Sequence, residues 1–226
     1  MKRIIGFSIL SGVKIFSHIF YRAEFKWITP SSKNSFERVR IIALLNHTSL
    51  FEPLYLRALS FGLLWKLSKL ATVPGADITL NRPIVGKLWK LMIPNIASVS
   101  RKLDSTWTAY LKTIHSDSVV IIAPEGRMKR PNGLDKHGRL MSIKPGIVDI
   151  IESIDEGGMV LCFSGGLHHI QSPGQFIPKL FKTLKLNMAH LDIGEYKVQF
   201  SHLGPRERKL AMINDLQKRL EKDCPA

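Results

Sequence analysis

The chain has 226 residues, 45% of them hydrophobic and 23% charged, which supplies a real core and excludes wholesale disorder. Its 33 Lys and Arg against 18 Asp and Glu give a formal charge of +15. That excess attracts polyanions: nucleic acid, anionic lipid, phosphorylated substrates or acidic carrier proteins. The two cysteines, Cys162 and Cys224, exclude a disulfide framework and a cysteine-based zinc site, so a reduced, cytosol-facing protein is expected.

Residues 4–20 are mostly apolar. Lys14 interrupts the run and no small-x-small cleavage site follows, which argues against a signal peptide. The uninterrupted stretch falls short of the ~20 residues a spanning helix needs. Ser8, Ser11, Lys14, His18 and Arg22 recur every three or four residues and form a thin polar stripe on a helix. Ile5, Ile9, Leu10, Val13, Phe16, Ile19 and Phe20 cover the rest. Such a helix either lies in a membrane interface, with Lys2, Arg3, Lys14 and Arg22 near lipid phosphates, or packs on the core. The expected division is 1–28 as an amphipathic membrane-associating helix and 29–226 as an α/β domain. Two later stretches, 63–70 and 84–92, also combine Trp and Lys with apolar residues, as a membrane boundary or a core helix with solvated lysines would.

Beyond the N-terminal segment, strand-like and helical runs alternate. Strands are expected at 39–45, 96–100, 118–123, 159–163 and 196–200, and helices at 51–64, 103–114, 146–154 and 205–222. Residues 128–143, rich in Gly, Pro, Asn and cations, read as a loop. The pattern predicts an α/β fold, a mixed β-sheet flanked by helices.

In open α/β sheets function collects where strands end, and two predicted strand ends carry chemistry. The first is Asn46-His47-Thr48-Ser49-Leu50-Phe51-Glu52. With His47 in the turn and Thr48 or Ser49 capping the helix behind it, Glu52 can fold back onto the imidazole. A carboxylate on one ring nitrogen leaves the other to take a proton from a hydroxyl. The same residues also suit a plain capping motif with an incidental histidine. The second is Pro124-Glu125-Gly126-Arg127, followed by Lys129 and Arg130, and later by Lys144-Pro145-Gly146. Cations beside glycine-bearing helix starts favour a phosphate, or form a solvated basic loop. His168 and His169 lack ligand-spaced partners, so no metal is expected, and Cys162 reads as an inert core thiol.

Together the blocks resemble the glycerolipid acyltransferases, the group that includes lysophosphatidic acid acyltransferases. Asn46-His47, four residues, then Glu52 is similar to their Asn-His-x4-Asp, with Glu for Asp. Ala123-Pro124-Glu125-Gly126 resembles the core of their third block. Ser100-Arg101 stands where they have Asp-Arg, and Lys144-Pro145-Gly146 where they have Lys-x-Gly. The order agrees from about residue 41 to 150. The departures are Ser100, the shifted arginine at Arg127, a longer 125–144 segment and a fourth block, 160–163, without proline.

The resemblance implies acyl transfer from acyl-CoA or acyl-carrier protein to a lysophospholipid hydroxyl, lysophosphatidic acid above all, with no resident cofactor. His47 is then the base and Glu52 its partner, while Arg101, Glu125, Gly126, Arg127 and Lys144 bind substrate. A peripheral or monotopic protein on the cytoplasmic membrane face, touching anionic lipid and no nucleic acid, is the corresponding expectation. A nucleic-acid binder is the competing class, but no helix-turn-helix, zinc-finger or RNA-binding aromatic signature is present. A non-catalytic membrane adaptor is the other.

Overall fold

The computed structural model describes residues 2–30, 36–83, 85–93, 95–100, 104–172, 175 and 177–225. Seven described strands form one sheet: β1 (Arg22–Trp27), β2 (Val39–Leu45), β3 (Ala71–Ala76), β4 (Asn95–Val99), β5 (Val119–Ile122), β6 (Gly158–Ser164) and β7 (Thr183–Asp192), in the order β1-β7-β6-β2-β5-β3-β4. The strands from β6 to β4 run parallel, whereas β7 is antiparallel to β6 and β1 pairs parallel with β7. The sheet is therefore mixed, as its pattern predicts.

The central strands read as largely apolar runs because helices cover both faces. All seven residues of β6 are buried. On one face lie α1 (Lys2–Phe20), a 3-10 helix (Glu52–Ala58), α2 (Phe61–Leu70), the short α3 (Asp77–Leu80) and α4 (Val85–Met92). Leu10, Leu54, Leu64 and Met92 there join Val160 and Met188 of the sheet in one core. The other face holds α5 (Ser105–Leu111), α6 (Gly146–Glu152), α7 (Ile193–Val198) and α8 (Pro205–Asp223). Its core unites Tyr110, Ile147, Ile151, Tyr196 and Leu216 with Ile41 and Phe163. Phe163 is fully buried in β6, so Phe163→Ala is expected to cost about 3–5 kcal/mol, read as a lowered urea midpoint.

Several elements differ from expectation. The N-terminal helix ends at Phe20, and residues 22–27, expected within it, are a strand of the sheet. The helix expected over 51–64 is two: the 3-10 helix stops at Leu59, and Ser60 caps α2 by accepting from the Leu63 N–H at 3.1 Å. The strand expected at 196–200 is mostly helix α7. Asp192 starts it by accepting from the Glu195 N–H, and the last strand is β7, one element earlier. β3 was hidden by Pro74 and Gly75, residues that rarely sit inside strands.

The N-terminal helix also faces differently. Gly6, Leu10, Lys14 and Ser17 turn inward, while Ile4, Ile5, Ile15, Phe16 and Ile19 are exposed. Lys14, expected near lipid phosphates, is 8% exposed and donates to the carbonyls of Arg57 and Leu59. Burial, and then the Arg57 charge, lower its pKa. By length and composition alone α1 could cross a bilayer; of the polar stripe, Lys14 is buried against the protein, while Ser8, His18 and Arg22 are exposed. Phe61 and Trp65 of α2 and Leu88 and Leu91 of α4 add exposed apolar surface, and the Arg3 guanidinium lies 3.9 Å from the Trp65 ring centre.

Candidate active site

The carboxyl ends of β2, β5 and β6 lie side by side at the centre of the sheet. There the chain leaves β2 for helices on one face and leaves β5 for α6 on the other. Such a switch point opens a crevice, and β2 delivers His47 to it.

The turn at β2's end is built around Asn46, whose φ of 62° lies in the left-handed region that asparagine tolerates. Its N–H donates to Glu125 Oε1 at 2.7 Å and its side-chain amide to the Ser164 carbonyl at 2.8 Å. The His47 N–H reaches the same Glu125 oxygen at 3.4 Å, and the His47 carbonyl accepts from the Lys129 N–H at 2.7 Å. All three strand ends thus grip one residue step.

The imidazole is oriented from the other side. His47 Nδ1 lies 2.7 Å from Glu52 Oε2, and Glu52 Oε1 accepts the Thr48 N–H at 2.9 Å. An ionised carboxylate only accepts, so Nδ1 carries the proton. Among the described residues Nε2 makes no hydrogen bond, and the ring faces an apolar cavity. Burial disfavours charge on the imidazole, but Glu52's charge and hydrogen bond, with the Glu125 charge behind, outweigh it and raise the pKa above the ordinary 6.5. The arrangement is a poised proton acceptor with a fixed tautomer.

The cavity, about 280 Å³, lies between the sheet and the layer of α1, α2 and α4. His47, Glu52, Gly126 and Arg127 line it together with Leu10, Leu67, Ala71, Trp89 and Met92. Ala71 pairs with Val119, one step before the Ile41–Val120 pair, hence level with Arg40. The end of β2 at Leu45 is five residues further along, about 17 Å at strand rise, and His47 lies just beyond it. Cys162 also lines it, a thiol pushed up to about 12 by burial and so unreactive.

The expected substrate residues divide. His47 and Glu52 meet, and Gly126 (φ 68°) borders the cavity. Glu125, expected against the acceptor, is not among the residues that line the cavity. It is 1% exposed, bonds the backbone of Asn46 and His47, and burial raises its pKa. Arg127 borders the cavity but pairs with the buried Asp135. Lys144 is exposed, with Nζ on Ser142 and its N–H holding the Pro124 carbonyl at 2.9 Å. Arg101 lies outside the described residues. Thr48 and Ser49 do not cap the following helix. Thr48 Oγ1 accepts from the Leu167 N–H, and the Ser49 hydroxyl donates to Gln171.

Two features escaped sequence reading. One is the cavity, whose walls come from elements scattered along the chain. The other is Asp135, the lone acid among residues 126–144. Besides Arg127 it holds the His137 and Arg139 N–H groups, and its isolation among cations was a signal. His168 and His169 are tied to the carbonyls of Lys129 and Thr183. No metal-capable cluster of His, Cys, Asp and Glu occurs among the described residues.

No family model matches the chain, and no curated protein matches it in sequence. Its fold is similar to that of a solved structure, the 1-acyl-sn-glycerophosphate (LPA) acyltransferase of Thermotoga maritima. The TM-score is 0.52 at 18% identity, over 95% of this chain and 79% of the other.

Proposed function

We propose that the protein is an O-acyltransferase working at a membrane surface. It moves a fatty acyl group from an acyl thioester, acyl-CoA or acyl-carrier protein, to the hydroxyl of a lysophospholipid. The observation that carries this reading is a carboxylate-oriented imidazole at an apolar cavity. A fold shared with an acyltransferase supports it.

In this reading the acyl chain occupies the cavity and places its thioester carbonyl beside His47. Nε2 removes the acceptor's hydroxyl proton while the oxygen attacks the carbonyl carbon. Collapse of the tetrahedral adduct breaks the C–S bond, and the imidazolium returns the proton to the leaving thiolate. Glu52 stabilises the transient imidazolium. The chemistry asks for no resident metal or redox cofactor. Lysophosphatidic acid is the acceptor we favour, its phosphate assigned to Arg101 and Lys144, with Arg127 and Gly126 bordering the ester-forming end. Glu125 acts on this site from behind, through the backbone it holds. The exposed apolar residues of α1, α2 and α4, with their cations, form the proposed contact with anionic lipid on the cytoplasmic face.

The test is transfer of labelled acyl groups from either donor to a panel of lysolipids and glycerol phosphate in vesicles. One lysophospholipid accepting the label identifies the substrate, and no transfer to any acceptor overturns the reading. The cavity adds a second expectation. Ala71→Ile fills the end remote from His47, so the variant prefers shorter acyl chains. At ~0.8 kcal/mol per buried methylene, excluding two carbons changes relative kcat/KM about 15-fold, measured by donor competition.

A further inference from the structure

Glu52 opens a 3-10 helix of seven residues. Runs beyond three or four are uncommon because their hydrogen bonds are poorly aligned, so this one needs outside support. The support comes from α1. Lys14 Nζ donates at 2.8 Å to each of the Arg57 and Leu59 carbonyls, at the far end of the 3-10 helix. The Ser17 hydroxyl donates to the Leu54 carbonyl at 2.9 Å. In return the Arg57 guanidinium donates to the Ser17 carbonyl at 3.1 Å and to that of Tyr21. Lys14 is 8% exposed and Ser17 fully buried. Burying a lysine is costly unless its donors are satisfied, and here two of its bonds close the helix that carries the carboxylate. Neither Lys14 nor Ser17 lines the cavity.

We propose that Lys14 and Ser17 are positioning residues: they pin the 3-10 helix so that Glu52 reaches His47, which ties the geometry of the site to the seating of α1. The claim rests on the reading of His47 as the base. The outer side of α1 carries exposed Ile4, Ile15, Phe16 and Ile19, so a bilayer that holds α1 also steadies Glu52.

The experiment compares wild type, Lys14→Met, which keeps an aliphatic stem, and Lys14→Arg, which restores donors. Two readouts are used: kcat and KM in vesicles, and the titration of the His47 ring by nitrogen NMR, assigned by the peak missing in His47→Ala. In Lys14→Met, kcat falls about ten- to a hundredfold through misplacement, with donor KM and vesicle binding unchanged. His47 titrates at lower pH, and Lys14→Arg recovers part of both. Lys14→Met combined with Glu52→Gln is no slower than Glu52→Gln alone. An unshifted His47 titration, or a double variant in which the two losses multiply, overturns the proposal. Should Lys14→Met not fold, Ser17→Ala is read by the same criteria. The NMR arm needs no acyl transfer, so it decides the positioning claim even where the assay overturns the proposed reaction.

Discussion

His47→Ala is expected to lower acyl transfer by roughly 10²–10⁴-fold, the contribution of a placed general base. The loss falls on kcat, because the walls that hold the acyl chain are supplied by other residues. The fold should survive. The turn is gripped through the backbone by Glu125 and Lys129, and Glu52 keeps its bond to the Thr48 N–H. Turnover and thermal melting measured on the same preparation check this. Undiminished transfer in a folded variant would sink the mechanism.

Glu52→Gln is expected to reduce kcat on the order of 10²-fold and to change the pH dependence in a set direction. The substituted amide can donate to Nδ1, which puts the ring proton on Nε2, the nitrogen that must accept. Wild-type His47 has a raised pKa because Glu52's charge and hydrogen bond overcome the effect of burial. A base works when neutral, so wild-type activity appears only as pH rises through that raised value. Removing the charge lowers the pKa, so the acidic limb of kcat/KM moves to lower pH while the plateau falls. A limb that stays in place would mean that Glu52 does not govern the imidazole.

Local chemistry was the most legible part of the sequence. The pairing of His47 and Glu52 depends on five residues and a turn, so their types and spacing allow it, beside a plain capping motif. The buried strands β2, β5 and β6 were legible because helices cover both faces and leave apolar runs, interrupted in β2 by Arg40. The edges were not. β1 continues directly from an apolar helix, which masks the alternation in Arg22-Ala23-Glu24-Phe25-Lys26-Trp27. β7 alternates through Leu184, Leu186 and Met188, but residues 196–200 alternate similarly. Asp192, a helix cap, was the residue that told them apart. Lys14 looked like a lipid-facing cation because sequence shows spacing on a helix and not which side meets the protein. The bond of Glu125 to the Asn46 backbone was not legible, because it joins two strand ends 79 positions apart.

The partner of β1 has a consequence for how the chain is made. β1, at residues 22–27, pairs with β7, at residues 183–192, across Arg22–Thr183 to Trp27–Met188. Synthesis runs from the N-terminus at ~5–20 residues per second, so β1 waits on the order of ten seconds for the strand that will hold it. During that interval α1 is already outside the ribosome with its apolar side uncovered. Chains stopped before Thr183 are left with an unpaired strand that quality control would meet first.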